Sequence, residues 1–329
     1  MNLIQLFQSL KIPKSYDGEK FETEVLPGYP KFRIAVNSEG LPALLLNIGQ
    51  SLKDADNKNL KLKHLLIQHG LKCKVIEKDI IKEEWLTAIK FLSTDPGLQH
   101  FFLKIAENLI LSMGEFASTS ELIYQINKFA ELFRAMSDAP KKTIQGLWGE
   151  LLVIERSFNP QNLIDYWHND PLEKFDFNAS TEKVEVKTST NFERIHYFSA
   201  EQLDDSETAE IIIASVFLRQ SSMGLNIFQL CEMITSKIDN DIYLTEKITS
   251  TVFHTLGSLI EQAIEIKYDY VLACESLAFF NQRDIKRISL KNIPNEISNI
   301  KYRSDLSRVQ PIKGINYQKF KRLISSCVN

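Results

Sequence analysis

Two short runs of alternating apolar and charged residues, Phe175-Asp176-Phe177 and Val184-Glu185-Val186-Lys187, constrain this chain more than any other segment. Successive side chains of a strand point to opposite faces, so a strand over Lys183–Thr188 carries Glu185 and Lys187 on one face and both valines on the other. The residues Ala179-Ser-Thr-Glu-Lys183 between the runs are long enough for a hairpin turn. Pairing the two runs brings Asp176 near Glu185 and makes a hard, oxygen-rich site suited to Mg²⁺ or Mn²⁺.

As a string, an Asp followed after a variable gap by Glu-x-Lys is weak, because about one match per few hundred residues arises by chance. An exposed strand pair whose charges face solvent is the plain alternative. Context adds weight: a helix-like stretch, Gly146-Leu-Trp-Gly-Glu150-Leu-Leu-Val-Ile-Glu155, precedes the runs, and the apolar stretch Glu210–Leu218 follows them. In that setting Asp176 and Glu185 hold a divalent ion that polarises a phosphodiester, and Lys187 orients or helps deprotonate the attacking water. Glu150 lies beside an apolar stripe of Leu147, Leu151 and Ile154, from which it reaches toward the ion; Glu155 is the next choice. Trp148 reads as core, and Gly146 and Gly149 as close helix packing.

Downstream, Arg194 and His196 are candidates for phosphate contact, Ser199 for capping a short helix, and Gln202 for bonding to phosphate, water or Lys187. The remaining histidines, among them His168 and His254, lack ligand spacing.

The 329 residues, 44% hydrophobic and 25% charged, allow two domains with a large core. The longest apolar runs are too short to cross a bilayer and the amino terminus lacks a secretory layout, so the cytoplasm is the expected location, with no membrane partner. Four scattered cysteines without a CxxC pair support neither a disulfide framework nor a zinc site, and read as reduced, mostly buried thiols. Net charge is −3, yet Arg283–Arg322 holds eleven Lys/Arg against three acids, a local excess of +8. Lys286, Arg287, Lys301, Arg303 and Arg308 are therefore candidate DNA-backbone contacts, unless the segment is only a solvated face.

The expected organisation is a β-rich amino-terminal domain (1–96), a helical connector (97–140), an α/β core (141–225) and a helical, irregular and basic carboxy-terminal extension (226–329). Strands are expected at Phe32–Val36, Ala43–Ile48, Leu71–Ile76, Leu163–Trp167, Phe175–Asn178, Lys183–Thr188, Glu210–Leu218, Tyr270–Cys274 and near Ile300–Leu306; Trp85–Leu92 suits strand or helix. Helices are expected at Gly97–Met113, Thr119–Met136, from Lys141 to about Phe158, at Ile227–Ile238 and at Thr245–Ile264, with a short turn near Ser199–Leu203.

Gly146-Leu-Trp-Gly-Glu150-Leu, Phe175-Asp176-Phe, Val184-Glu185-Val-Lys187-Thr-Ser and Arg194-x-His196-x-x-Ser199-x-x-Gln202-Leu together resemble the PD-(D/E)XK phosphodiesterase superfamily, and more closely the bacterial PD-(D/E)XK motif proteins. The resemblance is specific across roughly 141–218. It implies a restriction-endonuclease-like αβββαβ core, a Mg²⁺-dependent DNA endonuclease activity with Mn²⁺ able to substitute, Asp176, Glu185 and Lys187 as the catalytic trio, and Glu150 as an added helix carboxylate. It also implies work in restriction or anti-phage defence with other proteins, or a nuclease-fold scaffold subunit of little activity alone. Phe175 stands where the family's motif has proline, which weakens the string match more than the chemistry.

Overall fold

The structure, a computed structural model, describes residues 2–14, 19–47, 59–77, 80–114, 118–168, 174–203, 209–289, 293–313 and 323–327. The chain divides into two compact units, Met1–Ala139 and Pro140–Asn329.

In the first unit, α1 (Leu3–Ser9) precedes β1 (Phe21–Leu26), β2 (Tyr29–Asn37), β3 (Pro42–Leu46), β4 (Leu60–Lys61), β5 (Leu65–Glu77) and β6 (Ile80–Phe91), then α2 (Pro96–Met113) and α3 (Thr119–Ala135). The strands form one antiparallel sheet in the order β1-β2-β3-β6-β5-β4. Trp85–Leu92, open between strand and helix in the sequence, belongs to β6; Ile48 lies outside the described residues. Asp95 caps α2 by accepting from Leu98 N–H at 2.7 Å, with Pro96 in the first turn where its missing donor costs nothing. Phe91 of β6 stacks on Phe102 of α2 at 4.8 Å, and Phe129 and Phe133 of α3 close the same aromatic cluster.

The second unit runs α4 (Ile144–Arg156), α5 (Pro160–Asp165), β7 (Phe177–Asn178), β8 (Glu182–Ser189), β9 (Ile195–Ser199), a 3₁₀ turn (Ala200–Leu203), β10 (Glu210–Phe217), β11 (Gln220–Leu225), α6 (Ile227–Lys237), α7 (Ile242–Leu256), α8 (Ile260–Glu265), α9 (Tyr270–Ser276), β12 (Ala278–Asn281), β13 (Lys301–Asp305) and α10 (Ile324–Cys327). Its sheet has the order β12-β10-β8-β7, with β8 and β10 parallel and the outer pairs antiparallel. This is an α/β fold, as expected.

Two expected strands are helices instead. Leu163–Trp167 lies largely in α5, because Asn159 caps it and Pro160 opens it, and these local signals outweigh the apolar run. Only Trp167 keeps a trace of the first core strand, as an isolated bridge to Phe177. Tyr270–Cys274 becomes α9 because Asp269 accepts from Leu272 N–H. The long helix expected over Thr245–Ile264 breaks at Gly257, whose φ of 51° suits a residue without Cβ. All four cysteines are free; Cys327 is buried and Cys73, Cys231 and Cys274 are partly buried.

Helix α4 lies against the valine side of β8. A Cβ on Gly149 would sit 2.4 Å from Thr188 Cγ2 and 3.4 Å from Val186 Cγ1, so only glycine permits this approach. Trp148, fully buried beside it, donates its indole N–H to Leu225 O at 2.9 Å. On the other side of the sheet Phe175, Phe198, Leu203, Ile213, Phe280 and Leu306 form a second core. Strand β9 pairs with β13, far along the chain, and the buried Glu182 at the start of β8 accepts from Leu323 and Ile324 N–H at 2.8 and 2.9 Å.

Candidate active site

β7 and β8 pair antiparallel with Phe177 opposite Val184, and the turn between them is closed by Ala179 N–H to Glu182 O. Asp176 stands just ahead of β7 in a bend, not inside a strand as its alternating neighbours suggested. It is held over β8 all the same, because its Oδ2 accepts from Val186 N–H at 2.7 Å. Glu185 and Lys187 do share a side of β8: Lys187 Nζ donates to Glu185 Oε1 at 2.7 Å. Both carboxylates line one cleft of about 470 Å³, with Lys142, His168, Lys174 and Gln202 around them and one face of α7 (Ser250, Thr251, His254) opposite.

Glu150 is buried and borders this cleft through its partners. Its Oε2 accepts from Trp167 Nε1 at 2.9 Å and meets His168 Nε2 at 2.7 Å; its Oε1 accepts from Lys142 Nζ at 2.6 Å. Lys142 also donates to Asp176 Oδ1 and so ties the helix carboxylate to the strand carboxylate. One ligand atom each from Glu150, His168 and Asp176 lies within 4.8 Å of the others, a grouping able to hold a metal ion. Glu155 is equally buried but turns elsewhere, to Lys237 Nζ at 2.6 Å and Tyr270 OH at 2.8 Å.

The electrostatics set the carboxylates apart. Burial disfavours charge on Glu150, but the Lys142 ammonium and His168 overcome it and hold the carboxyl at about 2. Asp176 moves up from the usual range because of burial and the neighbouring Glu150 charge, against the pull of Lys142. Burial, and then Asp176, pushes Glu185 up to about 8. Lys142 is raised above the ordinary lysine value: burial lowers it, but Glu150 and Asp176 prevail. Glu185 Oε1 accepts from both Lys187 and Gln202, whereas its buried Oε2 has no hydrogen-bond partner among the described residues.

The downstream residues divide. Gln202 belongs to the site: its Nε2 donates to Glu185 Oε1 at 2.7 Å, and its Oε1 accepts from Lys187 Nζ and Ser199 N–H, each at 3.2 Å. Ser199 ends β9 and leads into the 3₁₀ turn that presents Gln202. Arg194 and His196 are committed inside the fold. Arg194 donates to Ser215 O, Ser215 Oγ and Ser276 O and lies over the rings of Phe217 and Phe280. His196 is buried against Ser215 Oγ at 2.8 Å, and burial, with Lys187 and Arg194 nearby, lowers it to about 4, so it is neutral at pH 7. Arg287 is half-buried and donates to the carbonyls of Gln282 and Arg283. Lys286, Lys301, Arg303 and Arg308 are exposed, and Arg303 lies 5.7 Å over the Tyr197 ring, which is itself 66% exposed. Lys291, Lys319, Lys321 and Arg322 of the basic segment lie outside the described residues.

Lys142 and His168 are the site residues that the sequence reading missed. Lys142 immediately precedes Thr143, the N-cap of α4, and this position was the only signal for it. His168 has a left-handed φ of 48° and donates its backbone N–H to Asp176 O at 3.3 Å; no ligand spacing along the chain announces it.

No curated protein and no solved structure matches the chain. A family model matches residues 3–307, nearly the whole of the chain. The chain thus belongs to the family described as "Putative PD-(D/E)XK family member, (DUF4420)".

Proposed function

We propose that this protein is a Mg²⁺-dependent DNA endonuclease, or the nuclease subunit of a larger cytoplasmic assembly in bacterial restriction or anti-phage defence, with Mn²⁺ able to replace Mg²⁺. Membership of a PD-(D/E)XK family supports nuclease chemistry. Among the described residues no helix is long and apolar enough to cross a membrane. The observation that carries the reading is the buried, unpartnered Glu185 Oε2 in a cleft shared with Asp176. A buried carboxylate oxygen without a donor is costly, and a cation is the partner that relieves it.

The donor set fits a divalent ion: carboxylates of Asp176 and Glu150 offer hard oxygens, His168 adds an imidazole that Mn²⁺ tolerates better than Mg²⁺, and Glu185 lines the same cleft without belonging to that converging trio. When bound, such an ion supplies Lewis-acid polarisation of a phosphodiester and a more acidic attacking water. The chain's own residues do the rest. Gln202 and Lys187 hold Glu185 in one orientation from two sides. The Lys187 ammonium, one contact behind the cleft wall, balances charge as it builds in the transition state. Val186 N–H and Trp167 Nε1 fix Asp176 and Glu150 against rotation.

Supercoiled plasmid is the direct test. Purified protein, alone or in its native assembly, converts it to nicked or linear form with Mg²⁺ or Mn²⁺ and not with EDTA. Cleavage undiminished by EDTA, or none in either preparation with either ion, rules the reading out. A nuclease-fold DNA-binding or scaffold subunit is the second reading, favoured by one observation: the Lys142 ammonium already donates to both Glu150 and Asp176.

For the DNA path, Lys301, Arg303 and Arg308 are the exposed cations on and just after β13. Neutralising all three lowers duplex affinity about equally for every sequence, since phosphate contacts carry no base information. The salt slope of binding shrinks by about 0.9 per lost contact. Unchanged affinity and slope in filter-binding titrations assign this face to solvent or to a protein partner.

A further inference from the structure

The group between the helix carboxylate and the strand carboxylate is an ammonium. Lys142 Nζ donates to Glu150 Oε1 at 2.6 Å and to Asp176 Oδ1, and Glu150 and Asp176 are two members of the trio whose ligand atoms converge within 4.8 Å. A divalent ion bridging those carboxylates needs the same lone pairs, and two cations that close repel each other strongly in a buried setting. The Lys142 side chain remains 30% exposed, on the segment just ahead of α4, so the ammonium has a way out toward the cleft mouth. Its service is also incomplete, because Glu185 Oε2 stays without a donor while Lys142 is in place.

We propose that Lys142 is a tethered occupant of the divalent-cation position: its ammonium holds Glu150 and Asp176 together in the metal-free protein and must leave them before an ion binds. The proposal rests on the metal-dependent reading above. It makes the apparent ion affinity a difference between two cations competing for one pair of carboxylates.

Two measurements on the full chain test it. In calorimetric titration with Mn²⁺, Lys142→Met, which keeps the stem and removes the charge, binds at least about tenfold more tightly than wild type because the competitor is gone. In wild type, acylation of Lys142 followed by mass spectrometry rises several-fold on adding saturating Mn²⁺, while Lys72 in the other unit does not change. The proposal is overturned if wild type binds Mn²⁺ but Lys142→Met binds no more tightly, or if Lys142 acylation ignores bound Mn²⁺. Should Lys142→Met fail to fold, the wild-type labelling decides alone. If neither protein binds Mn²⁺ and Asp176→Asn titrates like wild type, the metal-dependent reading falls and takes the proposal with it.

Discussion

Lys187→Ala loses DNA cleavage by about 10²–10⁴-fold while the fold remains, with single-turnover cleavage and thermal unfolding measured on the same preparation. The side chain is 18% exposed and its polar contacts are Glu185 Oε1 and Gln202 Oε1. Its ammonium also lies 5.1 Å from the centre of the Phe198 ring, a cation–π contact alanine gives up at modest cost. Gln202 still donates to Glu185 in the variant, so the carboxylate keeps its place and the missing charge is felt in the transition state. Asp176→Asn preserves the acceptor for Val186 N–H and removes the charge, and is equally inactive. Near wild-type turnover by Lys187→Ala refutes the role given to its ammonium.

Mn²⁺ affinity climbs with pH by up to about tenfold per unit between pH 6 and 8 and then levels, because the ion must displace a proton from Glu185. The sign for stability is opposite without metal. A carboxyl raised from 4.5 to about 8 by folding keeps its proton in the folded state, so its stabilising contribution is full below the unfolded value and is lost as pH rises through the folded one. Metal-free protein therefore melts lower at pH 8 than at pH 6 on this group's account, and saturating Mn²⁺ reverses the trend. Glu185→Gln, which cannot titrate, flattens the metal-free difference. Calorimetric scans in which wild type and Glu185→Gln show the same pH dependence contradict the assignment.

Much of the site was legible because period-two alternation is a local property: Val184 to Lys187 alone fixed which charges share a side of β8, and the helix carrying Glu150 followed from its apolar stripe. The failures have physical causes too. Arg194 and His196 looked like phosphate ligands because nothing local shows that Ser215, nineteen or more residues away, will engage both. Leu163–Trp167 has strand-like composition, and a capping Asn with a following Pro decided for helix. Lys142 and His168 reach Glu150 from eight and eighteen residues away, through a cap and a left-handed turn that have no pattern in hydrophobicity.

The strand bearing Glu185 and Lys187 is secured by partners synthesised late. Glu182 at its start is satisfied by the backbone of Leu323 and Ile324, and β9, which follows it, pairs with Lys301–Asp305. A nascent chain that has left the ribosome only as far as residue 300 lacks both supports and holds Glu182 as a carboxylate missing these two donors. Translation thus orders the assembly of the cleft: its carboxylates are made early, and the framework that aligns them is completed only more than a hundred residues later.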